Sequence, residues 1–263
     1  MTHRLTIRFF GRLNDFLPAG LRNRGCVYTI KGHPAVKDTL EAAGVPHPEI
    51  AVILVDGQPV RFDRQTDSDA KVRGYPPEFA TRFPSARPLC PRYRGRPRFV
   101  VDSHLGKLAR HLRLLGFDCV YRTDFPDEEI ARISEREKRI VLTRDVGLLK
   151  NKAVCYGTWV RSVDPRCQLK DMARLFGLDG YARPFTLCLD CNGRVTRVAK
   201  QRVEDRLPEQ VRAVYNEFYV CRRCRKVYWK GTHYAQLTAI VRRVAKKTPS
   251  STVRRHPRAP GNF

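Results

Sequence analysis

The chain has 263 residues, of which 42% are hydrophobic, enough to form a core in one large domain or in two to three small ones. Its 51 lysines and arginines against 26 aspartates and glutamates give a formal net charge of +25, which favours nucleic acid as a partner before an acidic membrane surface. No apolar run approaches the roughly 18 to 20 residues of a spanning helix, and the N-terminus lacks a signal-peptide core, so we expect a cytoplasmic protein without a membrane partner.

Residues 1–78 show the pattern of a small α+β domain. The predicted order is two strands (LTIRFF, CVYTI), a helix (VKDTLEAAG), a strand that enters an Asp-Gly turn (AVILVDGQPV) and a closing strand (KVRGY). This order resembles the ubiquitin-like, β-grasp sulfur-carrier proteins. Those carriers work through a free Gly-Gly end, whereas here Gly74 and Tyr75 continue into more chain, so the resemblance implies docking of a protein partner or a structural role.

Residues 79–97 are dense in proline and arginine and predict an extended linker. Residues 98–182 then alternate between strand and helix patterns: FVVD, LGKLARHLRLLG, DCVY, DFPDEEIARISEREK, RIVLTRD, GLLK and AVCYGTWVRS. Strands that alternate with helices imply right-handed crossovers and a parallel sheet covered on both faces. The predicted fold class of this region is therefore α/β.

Acidic residues follow the strands of this predicted sheet. Asp102 ends the first strand, Asp124 follows the second, and Asp145 ends the third. Because the carboxyl ends of parallel strands meet at one edge of a sheet, we expect these side chains to converge there, together with Asp127 and Glu128 from the start of the intervening helix. Carboxylates so close repel one another unless a cation neutralises them, and oxygen ligands suit Mg²⁺ or Mn²⁺. Asp102 and Asp145 are the predicted ligands.

Such a site suits hydrolysis of an RNA backbone, because a bound divalent ion activates water and stabilises the leaving oxygen. Nearby basic side chains are expected to hold the phosphates. These are Lys107, Arg110, Arg144 and Lys150. The acids also have structural interpretations: Asp127 and Glu128 suit the positive end of a helix dipole, and Asp102 could cap the helix that follows it.

Nine cysteines form an odd set that fits poorly with a disulfide framework, and five scattered ones are interpreted as small buried residues in a reducing compartment. The other four form two C-x-x-C pairs, Cys188 with Cys191 and Cys221 with Cys224, separated by 29 residues that include a predicted helix. Two such pairs can supply four thiolates to one structural Zn²⁺, with a redox dithiol as the alternative. Residues 183–236 are therefore a predicted zinc ribbon.

Basic and aromatic residues alternate around the second pair, which suits stacking on unpaired bases as well as packing of a small ribbon core. The predicted RNA-binding residues of this module are Arg222, Arg223 and Trp229. Residues 237–263 contain seven basic residues after Val241 and no acid, and they predict a short helix end and a disordered tail.

The runs FVVDSHLGKLARHLRLLGFDCVYRTD and DEEIARISEREKRIVLTRD, together with the cysteine pairs, resemble the Mut-seven C-terminal ribonuclease domain family. The resemblance implies a PIN-like nuclease domain followed by a zinc ribbon and, in bacterial members, preceded by a ubiquitin-like domain. It places catalytic acids at Asp102, at Asp127 or Glu128, and at Asp145. A fourth acid often completes such sites, and Asp124 and Asp164 are both candidates.

The leading hypothesis is a metal-dependent ribonuclease that cleaves RNA endonucleolytically, with Mg²⁺ or Mn²⁺ as the catalytic ion. The second is a non-catalytic RNA-binding or ribosome-associated zinc-ribbon protein. The third is an adaptor that docks a protein partner through its ubiquitin-like end.

Overall fold

The computed structural model describes residues 2–67, 69–87, 89–90 and 93–245, and the chain divides into two compact units. The first contains the chain up to Ala109 together with Asp118–Ser162. The second contains Arg110–Phe117 and the chain from Val163 onward.

The N-terminal part of the first unit is a five-stranded mixed sheet with one helix. Its elements are β1 (Thr2–Phe9), β2 (Cys26–Lys31), α1 (Val36–Ala42), β3 (Val52–Val55), β4 (Gln58–Val60) and β5 (Lys71–Tyr75). The strand order is β2-β1-β5-β3-β4, in which β1 and β5 are parallel and the other pairs antiparallel. Leu5, Ile7, Leu40 and Val72 are buried between α1 and the sheet. The predicted order of strands and helix is observed.

The segment predicted as an extended linker, 79–97, is partly folded onto this sheet. Phe79 and Phe83 pack against Tyr75 on the sheet face that α1 leaves open, and Leu89 enters the core on the α1 side. Proline and arginine dominate the composition of the segment, so its few apolar residues gave no periodic pattern. Burial of those residues nevertheless joins the segment to the N-terminal sheet.

The second part of the first unit contains a four-stranded parallel sheet. Its elements are β6 (Phe99–Val101), α2 (Gly106–Leu114), β7 (Cys119–Tyr121), α3 (Asp127–Glu137), β8 (Ile140–Thr143), α4 (Val146–Lys150) and β9 (Gly157–Trp159). The order is β7-β6-β8-β9, with every neighbouring pair parallel. Ile130 of α3 and Leu149 of α4 pack against Val100 and Val141 of the sheet. The predicted α/β fold class is confirmed.

Helix α2 stops where the sequence predicted, at Gly116. This glycine has a φ of +83°, and a Cβ there would lie 2.0 Å from the carbonyl oxygen of Arg183. Only glycine fits both the left-handed backbone and that close approach. Glycine is therefore required here both by the left-handed backbone that terminates the helix and by the close approach of Arg183.

The second unit combines helices with a three-stranded antiparallel sheet of order β10-β11-β12. Its remaining elements are α5 (Pro165–Phe176), β10 (Val195–Val198), α6 (Glu209–Val214), β11 (Phe218–Cys221), β12 (Val227–Trp229) and α7 (Thr232–Ala245). Phe218 and Val220 of the sheet are buried with Val203 and Leu207. Of the helix predicted between the cysteine pairs, only the short α6 forms.

Helix α7 occupies part of the predicted tail 237–263, since it continues to Ala245, and the rest of that prediction lies outside the described residues. Within the described ranges, no helix has both the length and the apolar character needed to cross a bilayer.

Candidate active site and metal centre

Asp102 directly follows β6 at the carboxyl end of the parallel sheet. Its backbone N–H donates to the Leu142 carbonyl (3.0 Å), which holds it beside β8. The side chain is only 5% exposed. Its Oδ2 accepts a hydrogen bond from the Thr143 hydroxyl (2.7 Å), and its Oδ1 accepts one from the Ser103 hydroxyl (3.1 Å).

Asp145 lies at the end of the neighbouring strand β8 and begins α4. Its Oδ1 accepts a hydrogen bond from the Gly147 N–H (2.6 Å), and its own backbone N–H donates to the Thr143 hydroxyl oxygen (2.8 Å). The Thr143 hydroxyl therefore joins the Asp102 carboxylate to the backbone of Asp145. The structure brings these two predicted residues to one edge of the sheet, here called the acidic rim, which also includes Asp127 and Glu128.

Asp127 is the first residue of α3. Burial raises the pKa of its carboxyl, and the negative charges of Asp145, Asp102 and Glu128 raise it further, while His104 acts in the opposite direction. Like charges raise a carboxyl pKa only when they lie near it, so all four acids share one electrostatic environment. The side chains of Asp127 and Glu128 are exposed.

The rim carboxylates are near one another without being in contact. Within the described part of the chain, the four cysteines are the one group of three or more possible ligands whose atoms lie within 4.8 Å of one another, and the rim acids do not form such a group. Mg²⁺ is a hard cation that takes oxygen ligands and usually binds one or two carboxylates together with several waters. The donor set fits such an ion.

The two candidates for a fourth acid are both engaged elsewhere. Asp124 is exposed and pairs with Arg122 through two hydrogen bonds (2.9 and 2.6 Å), which lower its carboxyl pKa. Asp164 caps α5, where Oδ1 accepts from the backbone N–H groups of Arg166 and Cys167 (both 2.9 Å).

The basic residues predicted to hold phosphates have different surroundings. Lys107 and Arg144 are exposed on elements that begin at the acidic rim, and an Arg144 guanidinium nitrogen donates to the Ser162 carbonyl (3.4 Å). Arg110 forms an ion pair with Asp190 (3.3 Å) in the second unit. Lys150 is half-buried and donates to the Glu41 carbonyl (2.7 Å), so its ammonium group already has a partner within the protein. We therefore do not include Lys150 among the phosphate-binding residues.

The four predicted zinc ligands form one cluster. All four Sγ atoms lie within 4.8 Å of one another, with Cys188 and Cys224 3.6 Å apart and Cys191 and Cys221 3.4 Å apart. Sulfurs bound to one Zn²⁺ at about 2.3 Å in a tetrahedron lie about 3.8 Å apart, so this set fits zinc. All nine cysteines are free thiols, so the pairs are not disulfides. Four sulfurs would leave no open position for water on a zinc ion bound there, so such an ion would be structural.

Three further residues support the cysteine cluster. A Cβ at Gly193 would lie 2.8 Å from the Cys221 sulfur, so glycine there lets the chain pass close to the ligands. The Tyr228 hydroxyl lies 3.0 Å from the Cys188 sulfur. Arg113 of α2 donates to the carbonyls of Leu189 and Asp190 (3.1 and 2.7 Å) and so fixes the first cysteine turn.

The predicted RNA-binding residues of the ribbon also differ in exposure. Arg222 and Arg223 are exposed in the second cysteine turn, although one Arg223 guanidinium nitrogen donates to the Cys191 carbonyl (3.3 Å). Trp229 is half-buried and packs against the ribbon core around Phe218. Trp229 therefore has a role in packing the ribbon core, whereas the two exposed arginines can contact an anion.

The comparisons with known proteins agree with this architecture. A family model for the Mut7-C RNAse domain matches residues 97–241, and one for the Mut7-C ubiquitin domain matches residues 2–82. The chain belongs to the Mut7-C RNAse domain family. No curated protein and no solved structure matches it.

The region matched by the Mut7-C RNAse domain includes both the acidic rim and the four cysteines. Sequence reasoning predicted the acids and the cysteines but not the residues that orient them. Thr143 stands inside the TRD triplet that supported the resemblance, yet no spacing rule shows that its hydroxyl joins two strands. Thr143 is the last residue of the fully buried strand IVLT, and a polar side chain at that position was the available signal.

Proposed function

We propose that this chain is a metal-dependent ribonuclease that hydrolyses phosphodiester bonds of RNA endonucleolytically, with the acidic rim as its active site. The observation that carries the proposal is the Thr143 hydroxyl, which joins Asp102 to Asp145 across the carboxyl ends of two parallel strands. Ligands of open parallel sheets bind beyond those ends. Membership in the Mut7-C RNAse domain family supports the same reaction class.

Asp102 and Asp145 would hold one Mg²⁺ or Mn²⁺ ion, and Asp127 and Glu128 would complete the site from α3. A bound ion of this kind lowers the pKa of water and neutralises charge on the leaving oxygen. The chain itself supplies orientation: Thr143 and Ser103 fix the Asp102 carboxylate, and the Gly147 N–H fixes Asp145. Asp127, whose pKa is raised, is suited to exchange a proton or accept a cation at the rim.

RNA would be held by charge along the exposed basic residues. Lys107 and Arg144 adjoin the acidic rim, and Arg222 and Arg223 are exposed on the ribbon. With a formal net charge of +25, phosphate contacts would supply most of the affinity, so binding should weaken steeply as salt increases. Such contacts position the backbone and select few bases.

The test uses the purified full-length chain, Mn²⁺ and a circular single-stranded RNA, which an endonuclease cuts and an exonuclease does not. Asp145→Asn is the decisive variant, because asparagine also caps helices well and so preserves α4 while removing the charge. We expect cleavage to fall by about 100-fold or more, since loss of even an outer partner of a metal site costs about 10- to 100-fold. RNA affinity should be retained.

Glu135→Gln is the matched control, because Glu135 is an exposed carboxylate on the outer side of α3. It should leave cleavage unchanged. Cleavage that persists in Asp145→Asn would point to a contaminating nuclease and would defeat the proposal. A parallel reaction with single-stranded DNA shows whether the enzyme distinguishes ribose from deoxyribose, because attraction to the phosphates alone does not depend on the sugar.

A non-catalytic RNA-binding or ribosome-associated role is the second candidate. It is favoured by the separation of the rim carboxylates, which do not come within 4.8 Å as a group in the part of the chain described. Under this reading the wild-type chain would bind RNA tightly and cleave none in Mg²⁺ or Mn²⁺. The free state of all nine thiols suits a reducing compartment, and we place either activity in the cytoplasm.

A further inference from the structure

The N-terminal domain carries a carboxylate that is completely buried against β9. Glu49, in the short turn before β3, has no exposed surface. One of its oxygens, Oε1, accepts hydrogen bonds from the Thr158 hydroxyl and from the Trp159 backbone N–H, both at 2.7 Å. Both donors belong to β9, so a residue of the ubiquitin-like domain holds a strand of the nuclease sheet.

This contact resolves a problem of the parallel sheet. Strand β9 is an edge strand that pairs only with β8, so its outer N–H groups need other partners. The Glu49 carboxylate takes the place of a neighbouring strand at Trp159. The N-terminal domain therefore closes this edge through a specific hydrogen bond.

Cations compensate the buried charge. An Arg12 nitrogen lies 2.9 Å from Glu49 Oε2, and an Arg161 nitrogen lies 3.9 Å from Oε1. Arg161 also binds Asp15 (2.7 Å) and the Arg12 carbonyl (3.1 Å). Burying a carboxylate is costly unless it is paired and hydrogen-bonded. Here Oε1 accepts two hydrogen bonds, while Oε2 has the ion pair with Arg12 and no hydrogen bond among the described residues.

The Trp159 side chain connects this contact to the backbone of the acidic rim. The Trp159 indole N–H donates to the carbonyl of Arg144 (3.2 Å). Arg144 stands between Thr143, which binds the Asp102 carboxylate, and Asp145. The indole ring is held in turn by Phe16 of the N-terminal domain (ring centroids 5.0 Å apart) and by the Arg161 guanidinium (5.2 Å).

We infer that Trp159 is a positioning residue of the acidic rim, acting through its indole bond to the Arg144 carbonyl, and that the ubiquitin-like domain supports it through the contact of Phe16 with the indole ring. By fixing the Arg144 carbonyl, Trp159 holds the backbone between the two carboxylates at one separation and so sets the affinity of the rim for a divalent cation. The inference rests on the proposed function only for the identity of the rim as a cation site. The N-terminal domain would then have a role within this chain that is separate from docking a partner protein.

The test measures Mn²⁺ affinity of the zinc-loaded full-length chain by electron paramagnetic resonance, which reports free Mn²⁺ without any RNA. Trp159→Phe keeps an aromatic ring against Phe16 and removes only the indole donor. We expect Mn²⁺ to bind about tenfold more weakly, as for other outer partners of metal ligands, and RNA cleavage to require correspondingly more Mn²⁺. RNA affinity in the absence of divalent ions should not change.

Thr158→Val is the matched control. It removes the other hydrogen bond to Glu49 from a buried side chain of nearly the same shape, but it leaves the indole bond to Arg144 in place. It should lower the melting temperature while leaving Mn²⁺ affinity unchanged. Equal weakening in both variants would mean general destabilisation and would overturn the inference, as would an unchanged affinity in Trp159→Phe.

The outcomes also separate this inference from the proposed function. If the wild-type chain binds Mn²⁺ at the rim, loses affinity in Trp159→Phe and cleaves no RNA, the positioning role stands and the ribonuclease proposal fails. If the wild-type chain binds no Mn²⁺ outside the cysteine cluster, the positioning role fails. Mn²⁺ prefers oxygen ligands over thiolates, so the cysteine cluster does not confuse the measurement.

Discussion

The cysteine cluster and the acidic rim are both candidate metal sites, yet they differ in how complete they are. The four sulfur atoms already lie within 4.8 Å of one another. The rim carboxylates are instead held by separate partners: the Thr143 and Ser103 hydroxyls for Asp102, and the Gly147 backbone N–H for Asp145. The cysteine site is assembled within the described chain, whereas the rim acids do not form a cluster of this kind.

The difference follows from the chemistry of the ligands. Thiols are less ionised than carboxylates at neutral pH, so a folded chain can bring four of them together with less repulsion. Carboxylates are charged at neutral pH, and the negative charges of Asp145, Asp102 and Glu128 add to the effect of burial in raising the pKa of Asp127. An assembled site suits a permanent structural ion. A site kept slightly open suits an ion that arrives with water and substrate phosphate.

The largest expected effect is at the assembled site. Cys221→Ser replaces a fully buried ligand and should release the zinc, because structural zinc binding is worth about 10 kcal/mol or more in small zinc domains. We expect zinc content to fall from about one ion per chain to nearly none, and residues around β10–β12 to become sensitive to protease. Elemental analysis and limited proteolysis measure both.

Cys167→Ser is the control for that variant, because Cys167 is an exposed thiol outside the cluster. It should retain both zinc and protease resistance. Hydrogen exchange in the N-terminal sheet should be unchanged in Cys221→Ser, since that sheet belongs to the other compact unit. If the Cys221 variant keeps its zinc and its resistance, the view of this cluster as a structural staple is wrong.

A smaller effect is expected when the link inside the acidic rim is removed. Thr143→Val leaves the buried Asp102 carboxylate without its shortest hydrogen bond and the Asp145 N–H without its acceptor. The free energy of unfolding should fall by about 1 to 3 kcal/mol. Cleavage of RNA should fall by about 10- to 100-fold, because the carboxylates lose their fixed separation. Denaturant unfolding and Mn²⁺-dependent cleavage assays check the two parts.

Thr143→Ser keeps the hydroxyl and should restore most of the cleavage. A valine variant that is destabilised but fully active would show that the hydroxyl stabilises the fold without arranging the rim. That result would mean that the rim, like the cysteine cluster, is arranged without the Thr143 link between β6 and β8.

The sequence was most informative where a function depends on residues that are close along the chain. Each C-x-x-C pair is local, and Asp102 and Asp145 each end a strand whose apolar run is visible in the sequence. Contacts between distant segments were not predictable in this way. The bonds of Glu49 to Thr158 and Trp159 span more than one hundred residues, and their donors are ordinary strand residues.

Local structure was also missed where composition concealed it. Helix α5 begins with an Asp-Pro cap at Asp164 and ends at Gly177, a pattern that predicts a helix, although Asp164 was considered only as a possible catalytic acid. Phe79 and Phe83 were overlooked because proline and arginine surround them. In both segments the apolar residues that pack are few and lie among polar or proline-rich sequence, so the pattern of a packed face is weak.

The smallest expected effect concerns Glu41, a carboxylate that is paired with His47. Glu41 Oε1 lies 2.6 Å from the His47 Nδ1. Burial raises the pKa of Glu41, but the hydrogen bond and charge of His47, with the charge of Lys37, outweigh burial and leave the pKa below its ordinary value of 4.5. This is the reverse of Asp127, whose neighbours are like charges.

A folded-state pKa below the unfolded value means that Glu41 stabilises the fold above its ordinary pKa of 4.5, and that this contribution disappears as the pH falls through the lowered value. Glu41→Gln should therefore lower the free energy of unfolding by about 1 kcal/mol at neutral pH and by almost nothing in strong acid. Chemical denaturation between neutral and acidic pH measures the difference, with the exposed Asp38→Asn on the same helix as control. An equal loss of unfolding free energy at every pH would mean that the shape of the Glu41 side chain, and not its charge, accounts for the contact. The contrast between paired and unpaired carboxylates would then depend only on the acidic rim.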